Sequence, residues 1–223
     1  MENRIADRPI RAAAEAHVAL ALVLDVSGSM YGDSINLLNR AVNQMISQMK
    51  NDGRLKNVID LAIFIFGKHG RENIYQGFRA ISDCDSINLE ATDDNTYVVA
   101  ALDKALGIIQ KRCSVYDRAG GAYKPWIVLI TDGEFHDADA ALNQIGQRMK
   151  ERQAQNKLQF FGLGIDNFQR TQLEKFTNNP QQVIAAQAAN FNEFFSWIGK
   201  SMKTVSTSAV GAPVALQPLS FTV

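Results

Sequence analysis

Three stretches of this chain, residues 18–24, 61–66 and 126–130, are apolar at consecutive positions rather than alternate ones. A strand with one face in water would alternate, and a membrane-spanning helix would need a far longer run. Each stretch therefore reads as a strand covered on both faces. Between and after them, apolar residues recur at helical spacing: Leu38, Val42, Met45 and Met49; Val98, Leu102, Ala105 and Ile109; Ala138, Ala141, Leu142, Ile145 and Met149; and Phe191, Phe194, Phe195, Ile198 and Met202. Doubly buried strands alternating with amphipathic helices predict an α/β fold, a doubly wound, mostly parallel sheet with helices on both sides. Right-handed crossovers then bring every strand-to-helix loop to one edge of that sheet.

The boundaries follow from turn and capping residues. Residues 1–15 form an Arg/Ala-rich lead, expected to be a frayed helix, and one domain occupies 16–204. Strands are expected at 17–26, 58–66, 126–130 and 158–163, with short ones at 78–81 and 183–185. Asp33 or Ser34 is the expected N-cap of the first long helix, which stops at Asn51-Asp52-Gly53. Residues 82–95 are polar and aperiodic and read as a loop; Thr96 opens the next helix. Asp137 caps the one after it, and a short helix spans 171–176. A tail, 205–223, is small and polar, although Val214, Leu216, Leu219 and Phe221 could anchor it on a partner or back on the sheet.

Length and composition narrow the function. The 223 residues fit one large domain, and equal numbers of basic and acidic residues leave no field to hold nucleic acid. The opening residues are too polar and acidic for a secretory signal, and Cys84 and Cys113 make no disulfide framework. A cytoplasmic protein with no nucleic-acid or membrane partner is the expectation. His17 and His69 make no zinc set. Phe191, Phe194, Phe195 and Trp197 read as core residues, and Tyr31 as either a surface residue or part of a binding rim.

The predicted loop edge collects a distinctive set of oxygens. Asp25, Ser27 and Ser29 follow the first strand in Asp-Val-Ser-Gly-Ser-Met; Asp132 follows the Trp126 strand in Thr-Asp-Gly; Thr96 opens a helix. Taken singly, each is an ordinary cap or turn residue. Together, at the carboxyl edge of a parallel sheet, they form a hard-oxygen set suited to Mg²⁺, with Mn²⁺ also accepted, rather than zinc. Neutral hydroxyl ligands leave such a cation much of its charge, so that it attracts an external carboxylate. Glu134, His136 and Asp137 invite a second-metal or acid–base reading, against a solvated loop in which Asp137 is only a cap.

The pattern Asp25-x-Ser27-x-Ser29, Thr96 and Asp132 resembles the metal-ion-dependent adhesion site (MIDAS) of von Willebrand factor type A (vWA) domains, over roughly residues 17–204. Finer features are similar to the bacterial tellurite-resistance Y (TerY-like) branch: Gly32 after the serine motif, Leu38-Asn39, Phe66-Gly67, Ala100-Ala101-Leu102, and Trp126 leading into Leu129-Ile130-Thr131-Asp132-Gly133. The resemblance implies a Rossmann-like sheet with one short antiparallel edge strand. It implies Mg²⁺ bound directly by Ser27, Ser29 and, in some states, Thr96, with Asp25 and Asp132 acting mainly through water. It further implies a non-enzymatic interaction module that takes a Glu or Asp from a partner protein. For the TerY-like branch, the setting is chemical stress, with kinase-like or phosphatase-like partners. Glu134-Phe135-His136-Asp137 departs from the Pro-Thr-Asp-like turn of relatives and alters the rim.

The competing reading is a Mg²⁺-dependent phosphatase or phosphotransfer enzyme with Asp25 as a strand-tip nucleophile. Such enzymes place a second acid two residues on; Ser27 stands there, and a hydroxyl is no general acid at neutral pH. Nucleotide-binding glycine loops and a Gly-x-Ser-x-Gly elbow are absent from the sequence.

Overall fold

β1 (Val18–Asp25) is buried at every position and lies inside a six-stranded sheet. The other strands are β2 (Ile59–Phe66), β3 (Ile74–Ala80), β4 (Trp126–Thr131), β5 (Gln159–Ile165) and β6 (Val183–Ala186), in the spatial order β3-β2-β1-β4-β5-β6. All neighbours are parallel except β2 and β3, so the antiparallel strand is an edge strand. The computed structural model describes residues 6–9, 14–67, 74–92, 95–166, 168–219 and 221. His69 and much of the expected N-terminal helix lie outside the described residues.

Successive residues of β1 feed two cores. Val18, Leu20, Leu22 and Leu24 face a cluster that includes α1 (Asp33–Asn51) and α6 (Phe191–Thr207), where Val42, Met45, Phe194 and Ile198 are buried. Ala19, Ala21 and Val23 face a second cluster with α3 (Val99–Asp117) and α4 (Asp139–Ala154), through Leu102, Ala105, Leu142 and Ile145. Burial on both faces explains why the strand carries no polar alternation. Two four-residue helices, α2 (Leu55–Val58) and α5 (Arg170–Leu173), complete the set among the described residues.

Several expected boundaries move, each for a visible reason. α1 begins at Asp33 with Gly32, at φ 81°, in the capping position, so neither Asp33 nor Ser34 is the N-cap. Val58 ends α2 rather than opening β2, because Asp52 accepts hydrogen bonds from the amides of Arg54 and Leu55 and starts a turn there. β3 begins at Ile74 and extends the expected 78–81 strand toward the N-terminus; its register with β2 is interrupted, which blurs any period-two signal. Among its described residues the 82–95 loop has no regular secondary structure beyond a short 3-10 turn (Ile81–Asp83) at its start, yet Ile87 and Leu89 are firmly held. Asn39 on α1 donates to the Leu89 carbonyl and accepts from its amide, both at 2.8 Å. Asn43, one turn on, makes the same pair with Ile87.

A buried ionic knot sits at the opposite end of the sheet from the loop edge. Asp60, 0% exposed, receives Arg112 at 2.5 Å and the Tyr116 hydroxyl at 2.6 Å. Arg112 also reaches the Arg8 carbonyl, and the His17 ring stacks on Tyr116. A cleft of about 950 Å³ lies at this same end, lined by Cys113, Lys124, Trp126, Arg152 and Leu216 among others.

Candidate metal centre

The strand order reverses direction at the β1–β4 pair: the chain builds outward through β2 on one side and β5 on the other. Such a switch point opens a crevice at the carboxyl ends of the two strands, where open α/β sheets bind ligands. Asp25 ends β1 and Asp132 follows β4, so both carboxylates lie at that crevice.

Asp25 is wholly buried and held at both oxygens. Oδ1 accepts the Ser27 amide at 2.9 Å, and Oδ2 accepts the Thr131 hydroxyl at 2.6 Å. The next residues turn tightly: Ser27 Oγ lies 3.2 Å from Ser29 Oγ, and Ser29 Oγ donates to Asp132 Oδ1 at 2.6 Å. Thr96 is 4% exposed, and its hydroxyl comes to the same place. A methyl group built on Gly133 would sit 3.4 Å from Thr96 Oγ1 and 3.6 Å from Ser29 Oγ. The residues expected from the sequence, Asp25, Ser27, Ser29, Thr96 and Asp132, are thus gathered around one point.

Close packing produces this convergence. Gly67, at φ 90°, follows β2, and a Cβ there would lie 2.4 Å from the Ser27 nitrogen and 2.8 Å from its Cβ. Only glycine fits beside the serine turn. Thr92 ties the adjoining segment to the carbonyls of Val26 and Gly67.

Burial raises both carboxyls of the cluster. Burial pushes the Asp25 carboxyl up to about 6; hydrogen bonds from Ser27 and Thr131 oppose the rise and the charge of Asp132 adds to it. Asp132 is likewise raised, first by burial, with Asp166 adding repulsion and the Ser29 hydroxyl opposing it. Two carboxylates with neutral hydroxyls between them are a donor set that a hard divalent cation would fit. Among the described residues no group of three or more His, Cys, Asp or Glu side chains gathers to hold a metal.

Thr96 does not cap the helix as expected. α3 starts three residues later, at Val99, and its capping carboxylate comes from elsewhere: Asp137 accepts the Val98 amide at 2.7 Å and the Val99 amide at 3.4 Å. Asp137 therefore caps α3, and Ala138 occupies the capping position of α4. His136 joins Thr96 at two points, its Nδ1 accepting the Thr96 amide at 3.2 Å and its own amide donating to the Thr96 carbonyl at 2.9 Å. Sequence reasoning gave no role to Thr131, Gly67 or this pairing. Their partners lie far away in the chain, and the only sequence signal was the presence of Thr and Gly in the strand-end motifs themselves. Phe191, Phe194 and Phe195 are core residues as expected, whereas Tyr31 is 55% exposed beside the site.

A family model described as the von Willebrand factor type A domain matches residues 19–198. No curated protein matches the chain. Among solved structures, the vWF domain of the type V pili tip protein Mfa5 from Porphyromonas gingivalis is 10% identical with a TM-score of 0.67, covering 89% of this chain and 99% of that one. A von Willebrand factor type A structure from Catenulispora acidiphila is 18% identical with a TM-score of 0.59, covering 85% of this chain and 43% of that one. Proximal thread matrix protein 1 from the mussel byssus, in a structure with a zinc-occupied MIDAS motif, is 14% identical with a TM-score of 0.51 over 85% of this chain and 48% of that one. The chain spans less than half the length of the last two. With its sheet order, its switch-point oxygens and the family match agreeing, the chain belongs to the von Willebrand factor type A domain family.

Proposed function

We propose that this domain is a non-enzymatic protein-interaction module that uses a divalent cation, Mg²⁺ or Mn²⁺, to bind an acidic side chain of a partner protein. Asp25, Ser27, Ser29, Thr96 and Asp132 would hold the ion, which supplies a Lewis-acidic position for the partner's carboxylate. The observation that carries this reading is the convergence of the Ser27, Ser29 and Thr96 hydroxyls with Asp132 at the β1–β4 crevice. The mussel protein with zinc in its MIDAS motif supports a divalent ion in this fold; the oxygen-only donors here favour harder ions.

The state of Asp25 speaks against the phosphotransfer alternative. Each of its oxygens accepts a hydrogen bond, the side chain is 0% exposed, and Ser27 stands where such enzymes place their second acid. The finer assignment rests on sequence resemblance: a TerY-like, cytoplasmic stress-response component whose partners are kinase-like or phosphatase-like proteins. Among the described residues no helix is long and apolar enough to cross a membrane.

The test is affinity capture from the native cell with and without EDTA, alongside Mg²⁺ and Mn²⁺ titration by calorimetry. Wild type is compared with Asp25→Ala and with the Ser27→Ala/Ser29→Ala double variant. The expected outcome is folded variants that lose both metal uptake and the partner. A partner retained in EDTA and by both variants removes the site from the interface. Phosphate-ester turnover that vanishes in Asp25→Asn would make the domain an enzyme.

A further inference from the structure

We infer that His136 and Asp137 are positioning residues that fix the Thr96 hydroxyl for the cation, an inference that rests on the metal-site reading above. Thr96 sits between the end of an irregular segment and the start of α3, so no helical hydrogen bonding of its own holds it. Its amide and its carbonyl are both taken by one residue, His136, at 3.2 and 2.9 Å. The two amides that follow its neighbour Tyr97, those of Val98 and Val99, are taken by Asp137. The Tyr97 ring lies against the His136 ring with centroids 6.1 Å apart. Every backbone donor from Thr96 to Val99 named here is therefore bound by two adjacent residues of the β4–α4 loop.

That loop is the one that begins with Asp132. It supplies a carboxylate at its first residue and holds the sequence-distant hydroxyl at its fifth and sixth. It is itself pinned between those points. Phe135 is 4% exposed and packs against Phe66 and Phe176, at 6.2 and 5.8 Å between ring centroids. Its amide donates to Gln172 Oε1 at 2.6 Å, and Gln172 Nε2 donates back to its carbonyl at 3.3 Å. Asp132 and Thr96 are thus both tied to one loop, which is itself pinned by Gln172. A small octahedral cation tolerates little error in ligand position, so loosening one hydroxyl registers as lost affinity.

The test is Mn²⁺ and Mg²⁺ titration of the full chain by calorimetry, with thermal unfolding in EDTA as a check on the fold. His136→Phe keeps the ring and the backbone amide but removes the acceptor; it should weaken Mn²⁺ binding by about tenfold, at the low end of what losing an outer-sphere partner costs. His136→Asn, which returns an acceptor at the same distance from Cβ, should recover most of that loss. In a Thr96→Ala background His136→Phe should have no further effect, since the hydroxyl it positions is gone. Asp137→Asn, which retains a capping oxygen, should bind better than Asp137→Ala. Wild-type affinity in His136→Phe, no recovery in His136→Asn, or an undiminished loss in the Thr96→Ala background would each overturn the inference while leaving the metal site standing. A wild-type chain that takes up neither ion removes the metal reading, and this one with it.

Discussion

Asp25, Ser27, Ser29 and Asp132 were legible because each follows an apolar run, and strand ends in a parallel α/β sheet share one edge. The residues that tune them were not. Thr131 orients Asp25 across a separation of 106 positions, and its hydroxyl would pass for a generic strand-end threonine. Gly67 matters through what it lacks: a side chain there would occupy the space of the Ser27 backbone. Gly67→Ala tests this directly. With φ at 90° and a Cβ less than 3 Å from Ser27, the variant must shift the serine turn, at a cost on the order of 1–3 kcal/mol for the strained backbone. The expected result is a folded but less stable domain with lost Mn²⁺ binding, read by urea unfolding and calorimetry. Unchanged affinity would mean that the turn can move without disturbing the ligands. Asp60 is a second case of hidden pairing, since a lone acid in an apolar strand gives no hint that Arg112 and Tyr116 enclose it.

Among the elements, the long central helices and doubly buried strands were readable from periodicity, whereas starts and short pieces depended on side chains arriving from elsewhere. α3 begins at Val99 because Asp137 reaches over to cap it, and Ile87 and Leu89 are held because Asn39 and Asn43 offer them the donor–acceptor pairs of a neighbouring strand. A polar, aperiodic stretch cannot reveal partners that sit on a helix fifty residues earlier. Asp52 plays a similar part at the junction of α1 and α2: it caps Leu55 and pairs with Lys203 on α6 at 2.8 Å. The Lys203 hydrogen bond, followed by the Leu55 and Arg54 amides, holds its carboxyl down at about 2. A depressed carboxylate stabilises the fold fully above its unfolded value near 4, and that contribution is lost as pH falls through about 2. Asp52→Ala should therefore lower stability near pH 7 by about 1 kcal/mol, the usual worth of a cap, with the difference from wild type shrinking between about pH 4 and 2. Urea unfolding across that range measures it, and a gap that persists at pH 2 would place the effect outside the carboxylate. Because Lys203 is 62% exposed, added salt should narrow the difference at neutral pH.

The two ends of the sheet differ in character. One carries the oxygen cluster; the other carries the Asp60 knot and the cleft beside the tail. The tail lies on its own domain: Val214, Leu216, Leu219 and Phe221 pack against the core shared with α1 and α6, and the Trp197 indole donates to the Gln217 carbonyl at 2.8 Å. Tyr123 fixes its root through the Ser206 and Ser208 carbonyls. The half-buried apolar side chains of this segment act as a strap over Trp197, which also touches Trp126 and Phe161. Deleting residues 209–223 should lower stability by about 2 kcal/mol through re-exposed apolar surface. It should also shift tryptophan emission to the red, as Trp197 loses its cover. Mn²⁺ affinity should stay as in the full chain, because the strap grips the end of the sheet remote from Asp25 and Asp132. A truncated chain with weakened metal binding would instead mean that the sheet transmits strain from one end to the other, and the tail would then regulate the site rather than merely cover the core.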